Sequence, residues 1–234
     1  MDRRFEGKSV LVTGGSRGLG LATARAFHQA GARVFIVGRD PKSLVAAAKA
    51  VGEIICLEGD VRRDAAALAA RVDRLDVLVN NAGGMEHHER FEGTSLEAWR
   101  STFELNLFSA VEMTRACLPK LRASRGAVVN IASDVGRRPF HMGPDYCASK
   151  AALINLTKYL AAELAPDVRA VAVCPGPVNT GEWSAEAVRE AASRTLLGRT
   201  GTPEEVADAV LAAAHDGFLT GTVLGVDGGS VRSP

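Results

Sequence analysis

No stretch of the sequence runs apolar over eighteen uninterrupted residues, so no membrane-spanning helix is expected, and the N-terminal MDRRFEGKSVLV lacks the apolar core of a secretory signal. The expected address is the cytoplasm. Neither sign of charge dominates, with 28 Lys and Arg against 27 Asp and Glu. No global field then draws the chain to nucleic acid or to an anionic membrane, and any anion site has to be local. Cysteine is sparse: Cys56, Cys117, Cys147 and Cys174 lie far apart with no CxxC pair, which argues against a disulfide framework and a zinc site and leaves reduced, mostly packed thiols. His87 and His88 stand side by side without Cys, Asp or Glu at a metal-ligand spacing, so no metal is expected and they read as solvated loop residues. Internal repeats, low-complexity tracts and Pro/Ser-rich linkers are also missing.

What is present is an ordinary globular balance, 47% hydrophobic and 24% charged, in 234 residues, a length that α/β folds reach without dividing. One domain over 1–234 is expected. Short β-branched runs recur at Ser9–Val12, Arg33–Val37, Glu53–Leu57, Leu75–Val79, Ala127–Ile131, Arg169–Val173 and Val223–Val226. They read as strands buried on both faces. Alanine-rich helical segments lie between them, near 18–30, 42–51, 64–72, 95–122, 146–165 and 203–215. Alternation of this kind gives a doubly wound α/β fold, a parallel sheet of about seven strands with helices on both faces. From Val61 to Arg74 there is room for only a short crossover helix. The one long irregular stretch, Gly176 to Pro203, reads as a substrate lid.

Directly after the first strand comes Thr13-Gly14-Gly15-Ser16-Arg17-Gly18-Leu19-Gly20, followed by an Ala-rich helix. Glycine lets the chain turn tightly and lets backbone approach a pyrophosphate, whose charge rests on the free N–H groups of a helix N-terminus. The strand before the loop and the helix after it supply the context that a glycine pattern alone lacks. Tyr146 and Lys150, four apart on a predicted helix, project from one face. A phenol that titrates near pH ~10 gains use as a general acid/base when a neighbouring ammonium stabilises its phenolate, and the pair is expected to lower the Tyr146 pKa. Ser133 closes the fifth strand, at the sheet edge where ligands of open α/β folds bind.

The GxxxGxG spacing, Asn80-Asn81-Ala82-Gly83 after the fourth strand, Asn106 in ELNLFSA, Ser133 in VVNIAS, Tyr146-xxx-Lys150 and Pro175-Gly176 after the sixth strand occur together and in order. In this the chain resembles the short-chain dehydrogenase/reductase family over nearly its whole length, in the compact single-domain form that includes β-ketoacyl-carrier-protein reductases. The resemblance implies a Rossmann-type sheet and a nicotinamide dinucleotide held by Gly14, Ser16, Arg17, Gly18, Leu19, Gly20, Arg39, Asp60, Val61, Asn81, Ala82, Gly83, Tyr146, Lys150, Pro175, Gly176, Val178 and Thr180. It also implies that Ser133 polarises the substrate oxygen, Tyr146 transfers the proton, Lys150 grips the nicotinamide ribose as well, and Asn106 keeps a water between Lys150 and solvent. Asp60 would meet the adenine; read alone, it serves as well as a cap on the short following helix. Asn80 and Asn130 read as structural. Phe140, His141, Met142 and Trp183 fall on segments that flank the pocket. Relative to the family, the helix before the fourth strand and the turn Ala165-Pro166-Asp167 are short, which touches surface shape rather than chemistry.

At the end of the second strand, FIVGRDP, the place where an NAD-selective relative carries an acid is Gly38, with Arg39 next. Asp40 precedes Pro41 and reads as a helix N-cap. With Arg17 in the glycine loop, two guanidinium groups favour a 2′-phosphate, so NADP(H) is expected over NAD(H), which stays open. The expected activity is hydride transfer between this cofactor and a ketone or secondary alcohol, with a 3-oxoacyl thioester as the substrate suggested by analogy. The alternative is a dinucleotide-sensing or scaffolding protein, which would have no need of an acid/base group. Apolar residues around more than one face of the helices near 95–122 and 146–165 point to a homo-oligomer, a dimer or a tetramer.

Overall fold

In the computed structural model residues 3–138, 140–141, 143–181 and 183–230 are described; Met142, which the sequence places beside the pocket, lies outside them. Seven strands, β1 (Ser9–Thr13), β2 (Arg33–Gly38), β3 (Ile55–Glu58), β4 (Val77–Asn80), β5 (Ala127–Ile131), β6 (Arg169–Pro175) and β7 (Val223–Val226), form one sheet in the order β3-β2-β1-β4-β5-β6-β7. Every pairing is parallel. The order reverses between β1 and β4, and a ligand crevice belongs beyond the C-terminal ends of those strands.

Successive residues along each inner strand feed opposite layers, as the pleat requires. Val10, Val12, Val34, Ile36, Val77 and Val79 pack with α1 (Gly18–Gln29), α2 (Pro41–Val51) and α8 (Pro203–His215). Leu11, Phe35, Val37 and Leu78 point the other way, to α3 (Ala65–Ala70), α5 (Ser109–Ser124) and α6 (Pro144–Leu164). Such double burial is why these strands read as unbroken apolar runs. Asn80 and Asn130 are paired across β4 and β5; Asn80 Nδ2 donates to Asn130 Oδ1 and Thr114 Oγ1, and Asn130 Nδ2 to Thr157 Oγ1. A buried amide needs such partners, so both asparagines tie the sheet to α5 and α6.

Two expectations change. The helix expected near 95–122 is divided into α4 (Leu96–Phe103) and α5 by one π-helical turn over Glu104–Phe108. Wide turns of this kind insert a residue into the hydrogen-bond ladder and often mark functional positions. The stretch from Gly176 to Pro203 is not wholly irregular, because α7 (Ala185–Ser193) forms within it, capped by Ser184 Oγ on the Ala187 N–H. Its Ala-Glu-Ala-Val-Arg-Glu-Ala-Ala run follows a cap residue, the local pattern that starts a helix.

Candidate active site

A cleft of about 520 Å³ opens at the C-terminal ends of β1, β4, β5 and β6, within the size range of ligand sites. The glycine loop forms one wall. Gly14 has φ +63, a left-handed backbone that glycine adopts without strain, and a Cβ on Gly20 would overlap the Gly14 carbonyl oxygen, so the loop closes tightly onto the start of α1. Asn81 Nδ2 braces it by donating to the carbonyls of Thr13 and Gly14. While α2, α4, α7 and α8 each have a side-chain cap, the N-terminus of α1 has none and faces the cleft. An uncapped helix start lined by Gly18, Leu19 and Gly20 fits an anionic pyrophosphate.

All the expected cofactor residues line this cleft, from Gly14, Ser16 and Arg17 through Arg39, Asp60 and Val61, Asn81 to Gly83, and Pro175, Gly176, Val178 and Thr180. At the end of β2, Asp40 is occupied: its carboxylate accepts from the N–H groups of Lys42 and Ser43 and from Ser43 Oγ, which caps α2 and lowers its pKa. Asp60 is not the cap of α3, whose N-cap position is Asp64. Its carboxylate instead takes Arg62, Nη2 to Oδ2 at 2.6 Å, and this guanidinium holds the acid down at about 2 despite partial burial. Asp60 therefore stays charged at the rim of the cleft. Arg39 is close enough to add to that effect.

Ser133, Tyr146 and Lys150 meet on the cleft floor. Lys150 is 3% exposed; Nζ donates to the Ile131 carbonyl at 2.9 Å and stands 5.7 Å from the Tyr146 ring centre. Burial presses this lysine down to about 8. Tyr146 keeps some exposed area, yet its phenolic group is enclosed, and burial pushes it up to about 12 against a hydrogen bond with Ser133 that lowers it. The Tyr146 pKa thus lies above the ordinary phenol value, where the sequence led to an expected lowering by Lys150. Desolvation disfavours both the phenolate and the ammonium, and it is the largest cause of the shift at each.

Asn106 stands behind the cleft rather than on its wall. The π-helical turn aims its side chain at Gly84, accepting from the N–H at 2.8 Å and donating to the carbonyl at 2.9 Å, so the amide holds the Asn-Asn-Ala-Gly segment in place. Trp183 reaches the cleft, whereas Phe140 stacks on His141 and lies under the Arg194 guanidinium. His87 and His88 do not line it. Sequence reasoning missed Met85, Glu86 and Leu105 on the outer wall. It also missed the buried Asp145, which accepts from Thr102 Oγ1 at 2.6 Å and ties α4 to the residue before Tyr146. No spacing in the sequence announces a contact across forty-three positions.

A family model described as enoyl-(acyl carrier protein) reductase matches residues 14–231. L-fucose dehydrogenase of Bos taurus is 38% identical, over 98% of this chain and 92% of that protein. The 3-oxoacyl-(acyl-carrier-protein) reductase FabG of Thermotoga maritima is 36% identical, over 97% and 99%. A solved short chain dehydrogenase/reductase family protein superposes with a TM-score of 0.90 at 34% identity, over 99% of this chain and 100% of the other. The chain belongs to the short-chain dehydrogenase/reductase family. It is accordingly an oxidoreductase acting on CH–OH or C=O groups with NAD(P). The solved Pseudomonas aeruginosa RhlG/NADP active-site complex has a TM-score of 0.90 to this chain at 32% identity, over 99% of both chains.

Proposed function

We propose that this short-chain dehydrogenase/reductase moves hydride between NADP(H) and a ketone or secondary alcohol, with a 3-oxoacyl thioester as the substrate class. The observation that carries the reading is the convergence of Ser133, Tyr146 and Lys150 on the cleft floor, beside a glycine loop whose helix is left uncapped. The cofactor, once bound, supplies the hydride. The α1 N-terminus receives its phosphates, Arg17 and Arg39 favour the 2′-phosphate, and Lys150 reaches the nicotinamide ribose. Thr180 holds the carboxamide, and Asp60 meets the adenine.

Ser133 positions the substrate oxygen, and the Tyr146 hydroxyl gives it a proton as the carbonyl carbon is reduced, or the Tyr146 phenolate takes the proton back when an alcohol is oxidised. Lys150, buried and charged below pH about 8, lowers the cost of the negative charge that Tyr146 acquires on giving up its proton. The segment from Gly176 to Pro203, which brings Trp183 to the cleft, acts as the lid over the substrate. A binding-only protein would have no use for the three groups on the floor. The name of FabG supports the thioester, and that of the bovine relative adds sugars to the test.

A spectrophotometric screen of 3-oxoacyl thioesters, diketones, steroids and sugars with both cofactors tests the reading. Turnover of a 3-oxoacyl thioester with NADPH is the expected result. No turnover of any carbonyl or alcohol, with cofactor binding intact, would overturn it in favour of a sensor.

A further inference from the structure

At the rim of the cleft the Asp60 carboxylate is taken up almost entirely by one residue, Arg62. Nε donates to Oδ1 at 3.0 Å and to Oδ2 at 3.1 Å, Nη2 donates to Oδ2 at 2.6 Å, and the Arg62 backbone N–H donates to Oδ1 at 3.0 Å. The main chain of Asp60 is held separately, by its N–H on Asp64 Oδ2 at 2.7 Å. Asp60 lines the cleft and Arg62 does not, so the guanidinium grips the carboxylate from beyond the cleft wall. Glu86, and Glu104 on the π-helical turn, lie near enough to Arg62 to favour its charge there. Arg39 is also near, but among the described residues no hydrogen bond to this carboxylate comes from it.

An ionised carboxylate offers about four lone-pair sites and no proton. Arg62 meets them with three protons, those on its backbone nitrogen, Nε and Nη2, the Nε proton being shared between the two oxygens. One acceptor site is left over. The guanidinium is planar, and its paired nitrogens also fix the plane of the carboxylate they hold. A donor arriving from the cleft therefore meets a lone pair in a set direction instead of a group free to rotate. We propose that Arg62 is a positioning residue that makes Asp60 a fixed acceptor for the 6-amino group of adenine, so that the site selects its dinucleotide by the base as well as by the phosphates.

The inference rests on Asp60 meeting the adenine, as in the proposed function. Hypoxanthine carries a carbonyl oxygen where adenine carries the amino group, and it sets acceptor against acceptor. A free carboxylate swings away from that oxygen, whereas one clamped by Arg62 stays opposite it. Two acceptors left facing each other lose more than the hydrogen bond itself is worth, because neither is then paired. Held at about 2, Asp60 does not escape the clash by taking up a proton at neutral pH.

Binding is read without turnover, from the dihydronicotinamide fluorescence of NADPH and of reduced nicotinamide hypoxanthine dinucleotide phosphate. The wild type is expected to bind NADPH at least about tenfold more tightly than its hypoxanthine counterpart. Arg62→Ala is expected to cut that ratio at least about threefold; the loss of a cation weakens both dinucleotides alike and cancels. Asp60→Ala should cut it too, and adding Arg62→Ala to Asp60→Ala should change the ratio no further, which marks a residue that acts through the other. A wild type indifferent to the base overturns the proposal. So does a ratio unchanged or raised in Arg62→Ala, which would make Arg62 a competitor for the carboxylate, and so does a further fall in the double variant, which would put Arg62 on the base itself. Where Asp60→Ala does not fold, Arg62→Ala decides alone. Failure of the wild type to bind either dinucleotide sinks the functional reading and this one with it, while binding with an unmoved ratio sinks only this one.

Discussion

Lys150 and Tyr146 stand one helical turn apart with the ammonium 5.7 Å from the ring centre, and the hydrogen bond from Nζ goes to the Ile131 carbonyl. Keeping a charge there is costly to the fold, as the fall of the lysine pKa from 10.5 to about 8 shows. Between those two pH values the unfolded chain binds a proton that the folded chain has lost, so the stability of the wild type rises with pH across this window. Below about 8 both states are protonated and the full burial cost is present. Lys150→Met should therefore melt a few degrees above the wild type at neutral pH, with the gap closing toward pH 10.5, while turnover falls at least about a hundredfold. Calorimetry at several pH values decides; a variant that melts lower throughout would show that the bond to Ile131 outweighs the burial of charge.

Tyr146→Phe removes the hydroxyl and little else. Turnover should drop at least about a hundredfold, the low end of what a positioned acid/base contributes, with cofactor affinity changed no more than a few-fold. Steady-state rates together with cofactor titration by fluorescence separate the two quantities. A phenylalanine variant that matches the wild type in any assay would sink the assignment.

The strands and the order of the glycine loop, Ser133, Tyr146 and Lys150 could be read from residue order because their signals are local: a period, a cap, a spacing of four. Strand ends came within a residue or two where Gly38 or Pro175 extended the ladder. What stayed hidden was non-local. The Tyr146 pKa depends on how deeply the phenol is enclosed, which the i, i+4 spacing to Lys150 does not reveal. The buried bond from Ser230 to Asp134, across ninety-six positions, has no local signal either. Of the two readings of Asp60, adenine contact or helix cap, the cap is the one that does not hold, because Arg62, two residues on, takes its carboxylate.

Homo-oligomerisation is the expected consequence of what α4 to α6 leave uncovered. Leu96 on α4 is 73% exposed, Phe108 on the π-helical turn 47% and Tyr159 on α6 62%. Large apolar side chains left in water are costly, and a second copy meeting helix to helix would cover them. Light scattering at micromolar concentration should give at least twice the chain mass of 24.6 kDa. A mass near one chain would reject the dimer and the tetramer alike.

Cofactor choice is expected to turn on Arg39 and Asp40, just after β2. Asp40 spends its carboxylate on the first turn of α2, with Ser43 Oγ and two N–H groups as donors, and does not line the cleft; Arg39 does. A carboxylate held this way cannot also take the two ribose hydroxyls that an NAD-selective acid takes. Arg39→Asp should then weaken NADP(H) and relatively improve NAD(H), because it removes a cation from the 2′-phosphate and places an acid near the hydroxyls. Asp40→Ala should lower the melting temperature through the lost cap and leave the ratio of the two cofactors unchanged. The same substrate assayed with each cofactor gives kcat/KM for all three proteins. If wild type prefers NAD(H), or if Asp40→Ala shifts the ratio toward NADP(H), then Asp40 leaves its cap to reach the ribose and the argument from Arg39 falls with it.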